Sequence, residues 1–309
     1  MSADECYAAV VSAREEFVVA RGLRHRVLRW GSAEGEPIVL LHGFQDCADT
    51  FQFLVDAMPR TFQFIAPDWR GFGGSERNDS PYWFADYLGD LEALLDQLSP
   101  ARPATIVGHS MGGNIASLYA GVRPERVSRL VSIEGFGLLR VDASNAPERF
   151  AEWLDELRAG VRETTYESTR RLTQLLLRRN PRLAPAHAEF IARVWTKPMP
   201  TGGYALKFDP WHRLVNPVLY RREEAEACWS RVRAATLLLL GGKSEYRARL
   251  QQDGGIDEVE RFRSCFVDLD SHDFSDLGHM MHHEDAAAVA AVIGRWLQKS
   301  SSPATIAGV

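Results

Sequence analysis

Cysteine is scarce in this 309-residue chain, and the four present, Cys6, Cys47, Cys228 and Cys265, stand far apart with no CxxC pair. A structural zinc cluster needs closely spaced thiolates and a disulfide scaffold needs many cysteines, so neither is supported, and the thiols are expected to be reduced and buried. Long apolar runs are missing too: no stretch approaches the ~18 uncharged residues that a membrane span requires. The N-terminal MSADECYAAVVSAREEF mixes acids among its apolar residues, unlike the basic start and apolar core of a secretory signal, so a cytoplasmic location is expected. Nor is there an excess of positive charge. Lys+Arg 36 against Asp+Glu 41, a formal net charge of -5, gives no global attraction to phosphate backbones or anionic lipid, and neither nucleic acid nor a membrane is an expected partner.

What is present is an ordinary globular balance, 45% apolar and 25% charged, long enough for one domain with a sizeable insertion or for two small domains. Short β-branched and aliphatic runs alternate with longer helical patterns, which predicts an α/β fold: a mostly parallel sheet flanked by helices. The expected strands are Phe17 to Ala20, Leu23 to Trp30, Pro37 to Leu41, Gln63 to Ala66, Thr105 to Gly108, Arg129 to Glu134, Thr236 to Leu240 and Cys265 to Leu269, the first two as an antiparallel hairpin around Gly22. Helices are expected over Thr50 to Met58, Ala85 to Gln97, Gly112 to Val122 and Asp285 to Lys299, the last running into a polar tail, SSSPATIAGV, that should fray.

Between about Val141 and Arg231 strand signals vanish and Arg-rich amphipathic segments such as RFAEWLDELRAGV take over. This reads as a helical insertion over the sheet, dividing the chain into a first core part (1–140), the insertion (141–231) and a second core part (232–309). Twelve arginines and two lysines between Arg149 and Arg222 outnumber the acids of that span. Such a charge is either a solvated helix face or an attraction for an anionic substrate.

Residues 104–113 read ATIVGHSMGG, a strand followed by a GxSxG pentapeptide and a helix-compatible segment. A sharp strand-to-helix turn would hold Ser110 in a strained geometry with its hydroxyl exposed, and Gly108 and Gly112 flank it because neighbouring Cβ atoms would collide. Upstream, the apolar strand ending at Leu41 runs into His42, Gly43 and Phe44. The backbone N–H groups of Phe44 and Met111 are the candidates for an oxyanion hole, with Gly43 permitting close approach.

A general base must arrive on a loop that reaches the serine. His279, after Gly278 and just before the C-terminal helix, fits best, with His272 as the remaining choice. A metal site built from the HMMHH run lacks a matching acidic partner pattern, so no metal or other cofactor is expected. The acid that orients the base usually lies between serine and histidine in the chain. Glu245, in GGKSEY after the strand TLLLL, is the first choice, and Glu134, closing the strand LVSIE, is the rival. Trp195, Tyr204, Phe208 and Trp211 are candidates to line an apolar pocket, Trp195 and Trp211 above all, although such residues also serve simply to pack an insertion.

With HGF, DWRGFGGSE, GHSMGG and GHMMHHE in this order, the chain resembles the α/β-hydrolase superfamily over most of its length. The resemblance implies an eight-stranded core sheet with a helical cap inserted after the sixth strand. It also implies Ser110 as nucleophile, Phe44 and Met111 at the oxyanion hole, His279 as base, and structural roles for Asp68, Arg70 and Gly71. The family's commonest acid motif has Asp three residues after a strand-ending Gly, a place that holds Ser244 counted from Gly241 and Glu245 counted from Gly242. Serine at the elbow, where epoxide hydrolases and haloalkane dehalogenases carry Asp, argues against those two activities. The implied function is hydrolysis of a small-molecule ester or related acyl compound. Alternatives are a non-catalytic ligand-binding protein on the same fold, or the same residues turned to C–C or amide hydrolysis or to perhydrolysis.

Overall fold

The computed structural model describes residues 6–252 and 257–300; most of the polar tail lies outside them. In chain order the strands are β1 (Arg14–Ala20), β2 (Leu23–Trp30), β3 (Glu36–Leu41), β4 (Phe62–Pro67), β5 (Ala104–His109), β6 (Val127–Ile133), β7 (Thr165–Tyr166), β8 (Thr196–Pro198), β9 (Tyr204–Leu206), β10 (Ala235–Gly241) and β11 (Leu269–Phe274). The helices are α1 (Gln52–Ala57), α2 (Phe84–Leu98), α3 (Met111–Val122), α4 (Ala146–Ala159), α5 (Thr169–Arg179), α6 (Pro185–Val194), α7 (Arg222–Trp229), α8 (Glu245–Gln252), α9 (Glu258–Ser264), α10 (Met281–Glu284) and α11 (Ala286–Ser300).

Eight strands form one sheet in the order β1-β2-β4-β3-β5-β6-β10-β11. The β1–β2 and β2–β4 pairs are antiparallel, and every other pair is parallel. The central strands are buried on both faces, which is why IVLL and ATIVGH read as continuous apolar runs. Successive residues nevertheless serve opposite layers. Ile38 and Leu40 pack with Phe51, Leu54, Val289 and Ile293 on one face, whereas Val39 and Leu41 pack with Leu91, Leu95, Ile115 and Tyr119 on the other.

The last strand differs from expectation. Cys265 to Leu269 is not a strand: α9 ends at Ser264, and the strand begins only at Leu269 and continues to Phe274. Its sequence, LDSHDF, is polar because β11 is an edge strand with β10 as its one neighbour and is largely exposed. The insertion between β6 and β10 also departs from the strand-free reading. Besides α4 to α7 it holds a small antiparallel sheet in the order β7-β9-β8. It is tied down by Arg222, fully buried, which donates to the carbonyls of Leu138 (2.8 Å), Phe136 (3.2 Å) and Glu258 (2.5 Å) and pairs with the Glu258 carboxylate at 2.7 Å. Of the cysteines only Cys47 is buried, and none is joined in a disulfide among the described residues. No helix among the described residues is long and apolar enough to cross a membrane.

Five buried histidines carry a cost that depends on pH. Burial lowers the pKa of His25, His109, His282 and His283, and takes His212 down to about 3. The unfolded chain, with imidazoles near ~6.5, therefore binds more protons than the folded one below that pH. Stability that is fully present above pH ~6.5 is lost as pH falls toward the folded values, by about 1.4 kcal/mol per pH unit for each such histidine. The urea midpoint should accordingly hold near pH 7 and drop steeply between about pH 6.5 and 5; a midpoint unchanged across that interval would contradict neutral burial of these rings.

Candidate active site

All the parallel strands end on one edge of the sheet, and the sequence motifs collect there. β5 gives way to α3 at Ser110, whose backbone lies at φ 50 and ψ -114, a strained conformation for a residue with a side chain. The surroundings fix it: the Ser110 N–H donates to the Ile133 carbonyl at 2.8 Å, and the Ser110 carbonyl accepts from the Asn114 N–H at 2.9 Å. The flanking glycines are obligatory. A Cβ on Gly112 would sit 2.1 Å from the Leu41 carbonyl oxygen, and one on Gly108 would sit 2.6 Å from the Gly112 backbone.

The turn presents the hydroxyl to His279, whose Nε2 lies 3.0 Å from Ser110 Oγ. Its other nitrogen, Nδ1, lies 3.1 Å from an Oε of Glu134. With Nδ1–H donated to that carboxylate, Nε2 is left to accept the serine proton. Glu134 is fully buried at the end of β6 and, like the serine, has a positive φ, 55. Its carboxylate also accepts from the Gly241 N–H at 2.6 Å and from the Ser244 hydroxyl at 2.5 Å. Convergent donors are what a buried carboxylate needs to offset its lost hydration.

The carboxylate beside His279 is thus that of Glu134 and not that of the first choice, Glu245. Glu245 is the exposed first residue of α8 and makes no hydrogen bond to His279 among the described residues. The turn after Gly241 directs Ser244 inward, so the next residue faces solvent. The place of the common Asp therefore holds a hydroxyl, and the carboxylate comes from the end of the neighbouring strand. His272 lies exposed on β11 and stacks edge-on with Phe274, away from the serine.

The loop after β3 is packed against the same spot. His42 is fully buried, its Nε2 accepting from the Trp69 N–H at 3.0 Å. A Cβ on Gly43 would lie 2.8 Å from His109 Nδ1 and 3.3 Å from Ser110 Cβ, so glycine lets this loop close on the serine. The Phe44 N–H makes no hydrogen bond among the described residues, and the Met111 N–H opens α3, where no carbonyl four residues back completes the ladder. Asp68 and Arg70 are structural, as expected: Asp68 accepts from Ala48 N–H (2.7 Å), Gly74 N–H (2.8 Å) and Arg26 (3.0 Å), and Arg70 forks onto buried Asp90.

Two contributors escaped the sequence reading. His109 has a place in the site: its Nε2 donates to the His279 carbonyl at 2.9 Å and steadies the loop carrying that ring. Ser244, noted only as a gap in a motif, is a hydrogen-bond donor to Glu134.

Trp195 lines a recess beside the Gly43 loop together with Leu172, Leu175, Leu176, Leu206 and Phe208. Its Nε1–H donates to Asp46 Oδ1 at 2.8 Å and so joins insertion to core. Trp211, by contrast, is not among the residues lining this recess; it sits half-buried in the turn Pro210–Arg213, which Asp209 caps. The acidic partner that HMMHH lacks in sequence is supplied by Asp46, whose Oδ2 lies 3.6 Å from His283 Nε2 and 4.0 Å from His282 Nε2. These three residues, all buried, bring one oxygen and two nitrogen atoms within 4.8 Å of one another, and Cys47, Asp49 and Asp68 form a second such group among the described residues.

Residues 36–286 match the family model described as the alpha/beta hydrolase fold. The chain is 26% identical over 297 residues to a serine hydrolase-like protein of Danio rerio, covering 89% of this chain and 86% of that one. It is 41% identical over 101 residues to a cis-3-alkyl-4-alkyloxetan-2-one decarboxylase of Shewanella oneidensis, a match spanning 32% of each chain. Among solved structures, the thioesterase domain from the curacin biosynthetic pathway superposes with a TM-score of 0.78 at 22% identity, over 91% of this chain and 99% of that one. With that family model matched over most of its length, the chain belongs to the α/β-hydrolase family.

Proposed function

We propose that this protein is a serine hydrolase of carboxylic esters or related acyl compounds, working through an acyl-enzyme on Ser110. The observation that carries the reading is the unbroken hydrogen-bond chain from Ser110 Oγ through His279 to Glu134. Ser110 Oγ attacks the carbonyl carbon while its proton passes to His279 Nε2, and Glu134 stabilises the imidazolium that results. Negative charge then develops on the carbonyl oxygen, for which the N–H groups of Phe44 and Met111 are the available donors. Collapse of the tetrahedral intermediate expels the leaving group, which takes the proton from His279. Water, deprotonated by the same histidine, attacks the acyl carbon and releases the acid.

The insertion acts as a cap that sets substrate size, with the recess around Trp195 receiving the acyl chain. The oxetan-2-one in the Shewanella relative's name is itself a cyclic ester, so a strained lactone belongs among the compounds to assay beside p-nitrophenyl esters of increasing acyl length. The test is turnover of such an ester by the wild type and its loss in Ser110→Ala; wild-type protein inert toward all of them would contradict the reading.

His109 is a positioning residue in this scheme. His109→Phe keeps a ring but removes the donor to the His279 carbonyl, and kcat should fall by roughly 10- to 100-fold through misplacement of the base. Steady-state kinetics checks this, and an unchanged kcat in a folded variant would remove His109 from the account.

A further inference from the structure

The recess beside His279 is lined by four cationic side chains, Arg179, Arg182, Lys243 and Arg249, and two acidic ones, Glu245 and Glu284. Arg182 and Glu284 are committed to each other at 2.9 Å, and Glu284 also accepts from Asn180 and from the Gly278 N–H, both at 2.7 Å. What remains is Arg179, Lys243 and Arg249 against Glu245, three positive charges to one negative. None of those three cations forms an ion pair among the described residues. They come from three separate segments: the end of α5, the turn after β10, and α8. A basic residue at the last turn of a helix is favoured by the helix dipole, which accounts for Arg179 and Arg249, at the last turns of α5 and α8, but not for Lys243. In a chain of net charge -5, such a local reversal of sign beside a reactive histidine is a focused attraction for anions.

Arg179 lines this basic recess and also the apolar one around Trp195, so the two meet at its side chain. The apolar recess adjoins the loop of Gly43 through Gln45 and Asp46, whereas the basic recess contains His279 itself. The direction of proton transfer assigns the two halves of a substrate to them. The leaving oxygen or sulfur receives its proton from His279 Nε2, so it departs on the imidazole's side.

We propose that the substrate of this site is an acyl ester or thioester whose leaving alcohol or thiol carries a negative charge, held by Arg179, Lys243 and Arg249, while an apolar acyl chain occupies the recess of Leu172, Leu176 and Trp195. The inference rests on the hydrolase reading and adds the charge and polarity of the substrate to it. In the reaction the acyl–oxygen or acyl–sulfur bond breaks, the leaving group gains the proton from His279, and water supplies the hydroxyl of the released acid; no other reactant is needed.

The test compares octanoyl esters of 4-hydroxybenzenesulfonate and of 4-hydroxybenzenesulfonamide, which share acyl chain and phenol but differ in charge. Each kcat/KM is divided by the ester's own rate with hydroxide to remove differences in reactivity. The wild type should prefer the sulfonate by roughly 10-fold at low salt, as three solvent-exposed charges acting together allow, and the preference should shrink in about 0.5 M salt. In the triple variant Arg179→Gln, Lys243→Gln, Arg249→Gln the ratio should fall to about one. A wild-type ratio of one or below, with both esters cleaved, would overturn this inference and leave the hydrolase reading standing, as would a preference that survives in the triple variant. Failure to cleave either of these esters or any p-nitrophenyl ester would bring down both.

Discussion

Replacing Glu134 by Gln is expected to lower kcat on a p-nitrophenyl ester by about 10⁴-fold, the scale of loss when the triad carboxylate becomes an amide. The cause is the tautomer. Glu134 presents an acceptor 3.1 Å from His279 Nδ1 and accepts from Gly241 N–H and Ser244 Oγ as well. An amide has one oxygen for these three donors. If that oxygen stays with the Gly241 N–H, the NH₂ group takes the place of the oxygen that Ser244 and His279 share and faces Nδ1, and the favoured imidazole then carries its proton on Nε2, where it cannot accept the serine proton. Glu245→Gln removes the charge of an exposed residue that makes no hydrogen bond to the histidine, and a change of no more than about 3-fold is expected, the ordinary effect of a screened surface charge. Steady-state kinetics on the two variants, with urea unfolding to confirm that both are folded, checks the assignment. Equal losses, or a larger one for Glu245→Gln, would show the carboxylate geometry to be catalytically irrelevant.

Ser110→Ala should cost still more, on the order of 10⁶-fold in kcat, because every covalent step passes through Oγ. His279→Ala should cost about the same, and the double variant little more than either, since base and nucleophile act as a unit. Only the residual help of oxyanion donors and binding would remain. The two losses adding as independent contributions would mean that serine and histidine do not work on the same proton. The rapid release of nitrophenol that precedes steady turnover, a sign of acyl-enzyme accumulation, should also vanish in Ser110→Ala.

These expectations lean on features that were unequally legible in the sequence. The buried parallel strands announce themselves because both faces are apolar, and the elbow does so because steric collision demands glycine at 108 and 112. The edge strand β11 was misplaced by several residues, since a strand with one neighbour and solvent on its faces has no reason to be apolar. The short strands β7, β8 and β9 were missed for a related reason: runs of two or three residues carry no measurable period.

The sequence favoured Glu245, whereas Glu134 lies beside His279, because distance along the chain is a poor guide at this point of the fold. Strands β6 and β10 are adjacent, in register from Ala235 opposite Arg129 to Leu239 opposite Ile133. Their ends are therefore two equivalent platforms for a carboxylate beneath the same histidine. Sequence pattern favoured the β10 platform, but the inward residue there is Ser244, which can orient a carboxylate without being one. The positive φ of Glu134, which aims its side chain, is a backbone property that no motif announces. His109 was passed over on similar grounds, since its role depends on a carbonyl 170 residues away.

The measurement that bears most directly on the central claim is the intact mass of the protein after reaction with a fluorophosphonate. A single adduct should form on the wild type and map to the peptide containing Ser110, form far more slowly on Glu134→Gln, and be absent from Ser110→Ala. An unmodified wild type, or an adduct retained when the serine is gone, would contradict the account.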